Sequence, residues 1–338
     1  MSSRIALLAV LLTTHALLSA GDAPDPLLAL PALPKPKPVM LTVAPDGREV
    51  APGIAIGAGK PAALVLTGSV IIDQGPVDGL EVLACLPTGK THESLIRLTA
   101  ASGQLVKATA IATLGLDDGV PAPEATGQPG RGTPLRVMVA WQSPDQPGQW
   151  LAVDASSLIR DRNIDKPYPA LPFIYTGSRI LEVDETGLDS KPVKRKRFML
   201  DSTKSVIDVV DEPDALMASP FPGAGTDKHF EAYGAICPPA GTAVKLVITR
   251  AELPLTLALL PDGQLRLPQA DSAVLDDAAL QSLLAKHFGD GATPGLRAVG
   301  VTVATTTPRE QDVAARARIL TAAAAAKAWV VPVFIPGG

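Results

Sequence analysis

From residue 39 onward the chain is written in short apolar runs that alternate with polar positions and break at tight turns. Residues 40–43 precede a PDGR turn at 45–48, and RVMVAW at 136–141 leads through DQPGQ at 145–149 into 150–153. Alternation of this kind, with period two, predicts antiparallel strand pairs that bury one face and leave the other to solvent. Between these pairs, Ser102 stands where a helix N-cap belongs and Gly115 where a left-handed stop belongs. A helix is therefore predicted over 104–114, with Leu105, Ile111 and Leu114 on its apolar face.

The tail carries a different rhythm. LPLTLALL at 253–260, PDGQ at 261–264 and LRLPQ at 265–269 predict a hairpin. LDDAALQSLLAKHF at 275–288 then places Leu280, Leu283, Leu284 and Phe288 at helical spacing. The apolar strand AVGVTVATT at 298–306 runs into Thr307, Pro308, Arg309 and Glu310, which have capping-box spacing with proline at the first helical position. The helix so started would show Val313, Ala317, Leu320 and Ala324 at steps of three and four before the final run WVVPVFI. The predicted class is α+β. A strand-rich N-terminal domain over 39–250, with mainly antiparallel sheet, precedes a small α/β domain of order ββαβαβ over 251–338.

Ahead of residue 39 lie two segments of other character. Residues 1–21 combine Arg4, an apolar run at 5–12 that resumes at Ala16, and the small residues Ser19, Ala20 and Gly21. This is the pattern of a secretory signal peptide. Thr13, Thr14 and His15 interrupt the run, which is shorter than the roughly 20 apolar residues that span a bilayer. The expectation is an exported protein, periplasmic or extracellular, with no integral membrane span once the leader is removed; retention of the leader as an anchor is the alternative. Residues 22–38 are proline-rich and read as a semi-rigid linker.

With 46% of residues apolar and only 19% charged, the chain has the material for a sizeable core and does not read as disordered. A net charge of −4 argues against nucleic acid as the main partner. The exception is the run KPVKRKR at 191–197, read as the solvated end of a strand pair. Cys85 and Cys237 are the only cysteines, so at most one disulfide can form, and Cys85 in the run EVLAC reads first as a small buried hydrophobe.

Several separated stretches together resemble the YdjY-domain proteins, a bacterial group common in planctomycetes: GLEVLACLPTGKTHESLIRL at 79–98, RGTPLRVMVAW at 131–141, FIYTGSR at 173–179 and PPAGTAVKLVI at 238–248. The ferredoxin-like label that some members carry does not transfer, because an iron–sulfur cluster needs four cysteine ligands. The tail, with its PDG hairpin, LxxLL-like helix and late alanine-rich helix, resembles the periplasmic domain of ExbD/TolR-type proteins. That resemblance implies dimerisation or docking through residues 251–338.

The richest chemistry lies in 78–98. Glu81, Cys85, Lys90, Thr91, His92, Glu93 and Ser94 form the candidate functional motif around GKTHES. His92 and Glu93 are adjacent, so on a straight strand they point to opposite faces and would need a bend to share a site. With such a bend, Glu81 or Cys85 could join them as metal ligands; the alternative is a hydrogen-bonded histidine that ties down the loop. Asp227, His229 and Glu231 would share one face of an extended segment and form a second, weaker metal candidate.

Catalytic signatures are otherwise missing. Ser156, Ser157 and Ser178 lack the GxSxG elbow, and no glycine-rich phosphate cradle precedes a helix. No cofactor is implied. Two function classes remain: a non-catalytic exported protein that binds or docks to an envelope protein or cell-wall component, and a metal- or acid/base-dependent enzyme or small-ligand binder centred on GKTHES.

Overall fold

The computed structural model describes residues 36–41, 44–75, 79–118, 130–163, 165–186, 192–210, 212–221, 229–269, 271–289 and 297–337. The expected signal segment and nearly all of the expected linker lie outside these residues. The chain opens with β1 (Val39–Leu41), β2 (Gly47–Ala51), β3 (Ile54–Gly57), β4 (Leu64–Val70), β5 (Val82–Cys85), β6 (Ser94–Leu98) and α1 (Gly103–Leu114). It continues through β7 (Pro134–Gln142), β8 (Trp150–Asp154), β9 (Ile159–Asp161), β10 (Lys166–Pro167), β11 (Phe173–Tyr175), β12 (Ile180–Thr186), β13 (Pro192–Phe198) and α2 (Leu200–Thr203). There follow β14 (Ser205–Asp208), β15 (Met217–Ala218), β16 (Phe230–Ala232), β17 (Ala243–Arg250), β18 (Leu255–Leu259) and β19 (Leu265–Arg266). The last elements are α3 (Asp277–Phe288), β20 (Ala298–Val303), α4 (Arg309–Ala325) and β21 (Val331–Pro336).

The fold is strand-rich and mostly antiparallel, and its centre is a closed barrel rather than the half-exposed sheet that alternation predicts. The circuit runs β7, β11, β15, β14, β5, β6, β4, β17 and back to β7. Closure is arranged by β4 and β7, each of which divides one edge between two partners. One edge of β4 takes β17 along its length, while the other is divided between β3 at Leu64–Leu66 and β6 at Gly68–Val70. On β7, likewise, one edge takes β17 and the other is divided between β11 and β8. Within the circuit both faces of some strands are covered: β5, a continuous apolar run, is buried at every residue, and so is β14 despite Ser205 and Asp208 at its ends.

The helices form where predicted; α1 turns Leu114 and Ile111 of its expected face to the core but not Leu105, and α4 buries a face other than the one expected. In α1 the Ser102 side chain accepts from the Leu105 amide, and Gly115 closes the helix at φ 62°. Its buried positions are Val106, Thr109, Ala110 and Leu114, whereas Leu105 is 41% exposed. In α4 most of the expected stripe faces outward: Val313, Ala317 and Ala324 are exposed and Leu320 is half-buried, while Asp312, Ala315, Ile319, Ala322 and Ala323 are buried. The capping box is not formed either, since Pro308 is the N-cap and the buried Thr307 hydroxyl has no partner among the described residues.

The physical reason lies in Arg131. Its Nε and Nη2 donate to the two carboxylate oxygens of Asp312 at 2.8 and 2.9 Å, and Nη2 also donates to the Thr307 carbonyl at 2.9 Å. This pair rotates α4 about its axis relative to a purely apolar reading. Beside it, the Gly132 amide donates to the Phe334 carbonyl, so the segment just before β7 bridges the outer edge of β21 at one point. The four-stranded sheet, ordered β19, β18, β20, β21, is parallel across its last three strands. It packs α3 and α4 over a cluster that includes Leu257, Leu284, Val301 and Ile319. Its other face shares the barrel core through Ala298, Trp329, Val331 and Val333.

One element stands apart. β12 and β13 pair with each other over seven residues and with no other described strand. The cationic run is the second strand of this hairpin, and Pro192 to Arg197 are all exposed, in line with the solvated strand pair expected for KPVKRKR. Lys191 lies outside the described residues.

Candidate functional site

The GKTHES turn connects two strands that lie side by side and parallel. Because Val82 pairs with Ser94, the residues just before them, Glu81 and Glu93, are brought together at the same end of the barrel. The Glu93 carbonyl accepts from the amides of both Glu81 and Val82, which fixes this juxtaposition in the backbone. On the other side of β5, Asp208 pairs with Val82 and the Val209 amide donates to the Glu81 carbonyl. Three strand ends therefore assemble a row of carboxyl groups, with Glu212 just beyond β14.

Glu81 and Glu93 share a hydrogen bond, and Lys90 lies over both: its ammonium pairs with Glu81 and stands 3.7 Å from Glu93. The hydrogen bond with Glu81 holds Glu93 above the ordinary carboxylate range, and partial burial adds to this. Burial also acts to raise Glu81, but its bonds with Glu93 and Lys90 outweigh that and leave it below its ordinary value. The shared hydrogen bond thus drives the two proton affinities apart, Glu93 upward and Glu81 downward. Asp208 is 1% exposed, and one of its oxygens has no hydrogen-bond partner among the described residues. Burial, reinforced by Glu81 and Glu212, holds Asp208 well above the usual range, and burial likewise raises Glu212.

The other motif residues take bland positions. The His92 side chain is 76% exposed, with Nε2 3.3 Å from Glu93, so the bend needed to bring the two together is present but the ring faces solvent. Ser94 donates to the Lys90 carbonyl at 2.6 Å and closes the turn. Thr91 donates its amide to the Gly89 carbonyl. Cys85 is fully buried in β5, and burial pushes its thiol up. Both cysteines are free thiols. Among the described residues no three His, Cys, Asp or Glu side chains converge to hold a metal ion.

The second metal candidate is divided among separate partners. His229 bonds to the Asn163 side chain, and Glu231 accepts from Arg160 at 2.7 Å; Asp227 lies outside the described residues. Arg160 also donates to Asp165 at 2.8 Å and stacks over the Tyr233 ring at 5.7 Å. Of these, Arg160, Glu231 and Tyr233 line an open cleft of about 430 Å³ with Gln74, Gly75 and Gly234.

Sequence reasoning missed Asp208 and Glu212 in the first site and Arg160 and Tyr233 in the second. A lone acid inside the apolar run SVIDVV was a usable signal for Asp208, because an isolated carboxyl in a buried strand is rare. Nothing local marks Arg160. Comparison of the chain with known protein families, with curated proteins and with solved structures returned no match.

Proposed function

We propose that this chain is an exported docking module of the bacterial envelope, acting by binding a partner rather than by turning over a substrate. The observation that carries this reading is the β12–β13 hairpin. Seven paired residues reach about 23 Å at the usual rise per residue, and an isolated two-stranded ribbon is only marginally stable in water. Here its root is held firmly. Ser178, buried and left-handed at φ 55°, donates to the Asp214 carbonyl and accepts from the Leu200 amide. Arg179 pairs with the Asp214 carboxylate, and the Met199 amide closes onto the Arg179 carbonyl at 3.0 Å. A strained root that fixes a solvent-exposed arm is what presentation to a partner requires.

The leader-like residues 1–21 support export, and the YdjY-like motifs support an envelope setting. For the tail, the chain order β18, β19, α3, β20, α4, β21 supports the likeness to ExbD/TolR-type domains. The outward Val313, Ala317 and Ala324 of α4 supply a surface for self-association in that reading.

The test is crosslinked capture from native envelopes, comparing the full chain with a variant in which residues 180–198 are replaced by a two-glycine link between Arg179 and Met199. A specific partner that disappears with the arm, and persists in His92→Ala, is the expected result. A partner retained without the arm overturns it. The second reading, an acid/base or small-ligand site at GKTHES, is favoured by one observation: Glu81 and Glu93 are hydrogen-bonded with their proton affinities driven apart, as in acid/base pairs.

A further inference from the structure

The cleft beside Arg160 is built from residues that neither the arm nor the GKTHES turn uses. Its floor is one face of the short sheet β10, β9, β16, on which Arg160 stands opposite Glu231 on one side and Pro167 on the other. The alternate positions Ile159, Asp161 and Phe230 are buried and anchor that floor. One wall forms where Gly75 takes a left-handed φ of 76° and its carbonyl accepts from the Ala232 amide at 2.7 Å. The other is the turn after β16, closed by the Ile236 amide on the Tyr233 carbonyl at 2.8 Å. A Cβ at Gly234 would stand 3.0 Å from the Gln74 side chain, so glycine is what lets the two walls meet.

The groups that line the cleft are polar, and their charges are already compensated. Arg160 directs Nε and Nη2 to a single oxygen of Glu231, Oε1, at 2.7 and 2.6 Å, and Nη1 to Asp165 at 2.8 Å. Its guanidinium also lies over the Tyr233 ring. With one cation set against two carboxylates, an anionic ligand finds no positive charge to spare. A divalent cation lacks a site as well, because no three acid, thiol or imidazole groups converge among the described residues. The only aliphatic side chains along the cleft are the methyl groups of Ala232 and Ala235. An apolar ligand would therefore take water from polar groups without replacing its hydrogen bonds.

A neutral, polyhydroxylated ligand meets none of these objections. Each of its hydroxyls donates once and accepts twice, and the cleft offers the matching set: acceptors on Glu231, and both kinds on the Gln74 carboxamide and the Tyr233 hydroxyl. Gln74 is exposed and Tyr233 half-buried, so both are within reach of solvent. The tyrosine ring, braced by Arg160, supplies a flat and rigid contact for the C–H face of a sugar ring. At about 430 Å³ the cleft falls within the roughly 300–1,000 Å³ of small-molecule sites. We propose that this cleft binds a neutral glycan, with Tyr233 packed on a sugar ring, Gln74 and Glu231 bonded to its hydroxyls, and Arg160 positioning both Glu231 and Tyr233. The assignment rests on the docking reading for its envelope setting, and it names a glycan as a ligand held apart from the arm.

The test titrates the full chain with two neutral oligosaccharides, chitotriose and cellotriose, and with trigalacturonate as an anionic control, up to about 10 mM, followed by saturation-transfer NMR. Circular dichroism checks the fold of each variant. The expected result is binding of a neutral oligosaccharide, with trigalacturonate at least about tenfold weaker. Tyr233→Ala should weaken binding by about tenfold and Gln74→Ala by about fivefold, the latter through one lost hydrogen bond. Ala235→Trp, which fills the cleft from an exposed position, should abolish it. Should Tyr233→Ala fail to fold, the Gln74 and Ala235 variants decide the matter alone. No binding of either neutral oligosaccharide, equal binding of trigalacturonate, or binding unchanged in Ala235→Trp overturns the assignment. If the oligosaccharides fail while removal of the arm still abolishes envelope capture, docking through the arm stands and the glycan cleft falls. If they bind while capture survives removal of the arm, the cleft stands and docking through the arm falls.

Discussion

Arg131 and Asp312, 181 positions apart, form a buried bidentate pair that joins the first turn of α4 to the barrel at the start of β7. Asp312 is fully buried and Arg131 is 8% exposed, so each depends on the other for its charge to be tolerated. Removing one partner of such a pair typically costs about 3–5 kcal/mol, whereas replacing both with apolar residues is often close to neutral. Arg309 stands 3.6 Å from Asp312 and can partly serve the carboxylate when Arg131 is lost. The expected order in urea unfolding is therefore Asp312→Leu least stable, Arg131→Met intermediate, and the double variant recovering most of the loss. Equal midpoints for both single variants and the parent would remove the pair from the account of how the tail is held.

Helix faces give a second prediction, because α4 buries positions that hydropathy alone does not select and α1 leaves Leu105 exposed. In α4, Ile319→Ala removes a fully buried side chain and should cost about 2–5 kcal/mol. Val313→Ser, on the exposed face of the same helix, should change stability by less than about 0.5 kcal/mol. In α1, Ser102→Ala should cost about 1 kcal/mol through loss of its bond to the Leu105 amide, while Leu105→Gln is tolerated. Chemical denaturation of the four variants settles the assignment of faces.

These helices show how far the sequence carries. Their existence and ends were legible, since Ser102, Gly115 and the proline at 308 act locally. Which side faces inward was not, because Asp312 is drawn in by an arginine in a distant segment and an alanine-rich helix offers little contrast between its sides. The barrel was illegible for a similar reason. Alternation in RVMVAW correctly marks β7, and its pairing with β8 was readable from the turn between them. Nothing local reveals that β17, a hundred residues later, covers the other edge. At the candidate site, GKTHES was found by its residue types, and Glu81 beside Glu93 follows from parallel pairing of β5 with β6. Parallel neighbours joined through only residues 86–93 contradict the usual long crossover, so neither that contact nor Asp208 could be placed beforehand.

The two cysteines yield a third prediction. Cys237 is buried, and its thiol is pushed up to about 12 by desolvation, with Asp73 adding to the effect. At pH 8 a group of that pKa is ionised to roughly one part in ten thousand, and only the thiolate attacks a disulfide reagent. Burial raises Cys85 in the same direction. Ellman's reagent should leave the folded protein unmodified at pH 8 and titrate both thiols once the chain is unfolded in guanidinium. Rapid reaction of a thiol in the folded state would mean that the barrel wall opens near β5 or near the residue 72 carbonyl to which Cys237 bonds.

Asp208 offers the clearest pH signature. It faces Glu81 at the start of β5, Lys90 from the GKTHES turn and Glu212 beyond its own strand, with Ser205 as its neighbour within β14. Burial favours the protonated acid in the folded chain, so its proton affinity is raised relative to the unfolded chain. A carboxyl shifted in this direction contributes stability fully present below the unfolded value, about 3.9, and lost as the pH rises through the folded one. Asp208→Asn keeps the shape but cannot ionise, and so lacks this loss. Near pH 4 the variant and the parent should unfold at similar urea concentrations. At pH 8 the variant should be more stable by about 1–3 kcal/mol, the penalty for holding a buried charge beside two other carboxylates. The opposite trend, with the variant weaker at pH 8 than at pH 4, would show that Asp208 is ionised in the folded protein and that Lys90 holds it there. The comparison thus decides whether Lys90 serves Glu81 and Glu93 alone or neutralises the whole row.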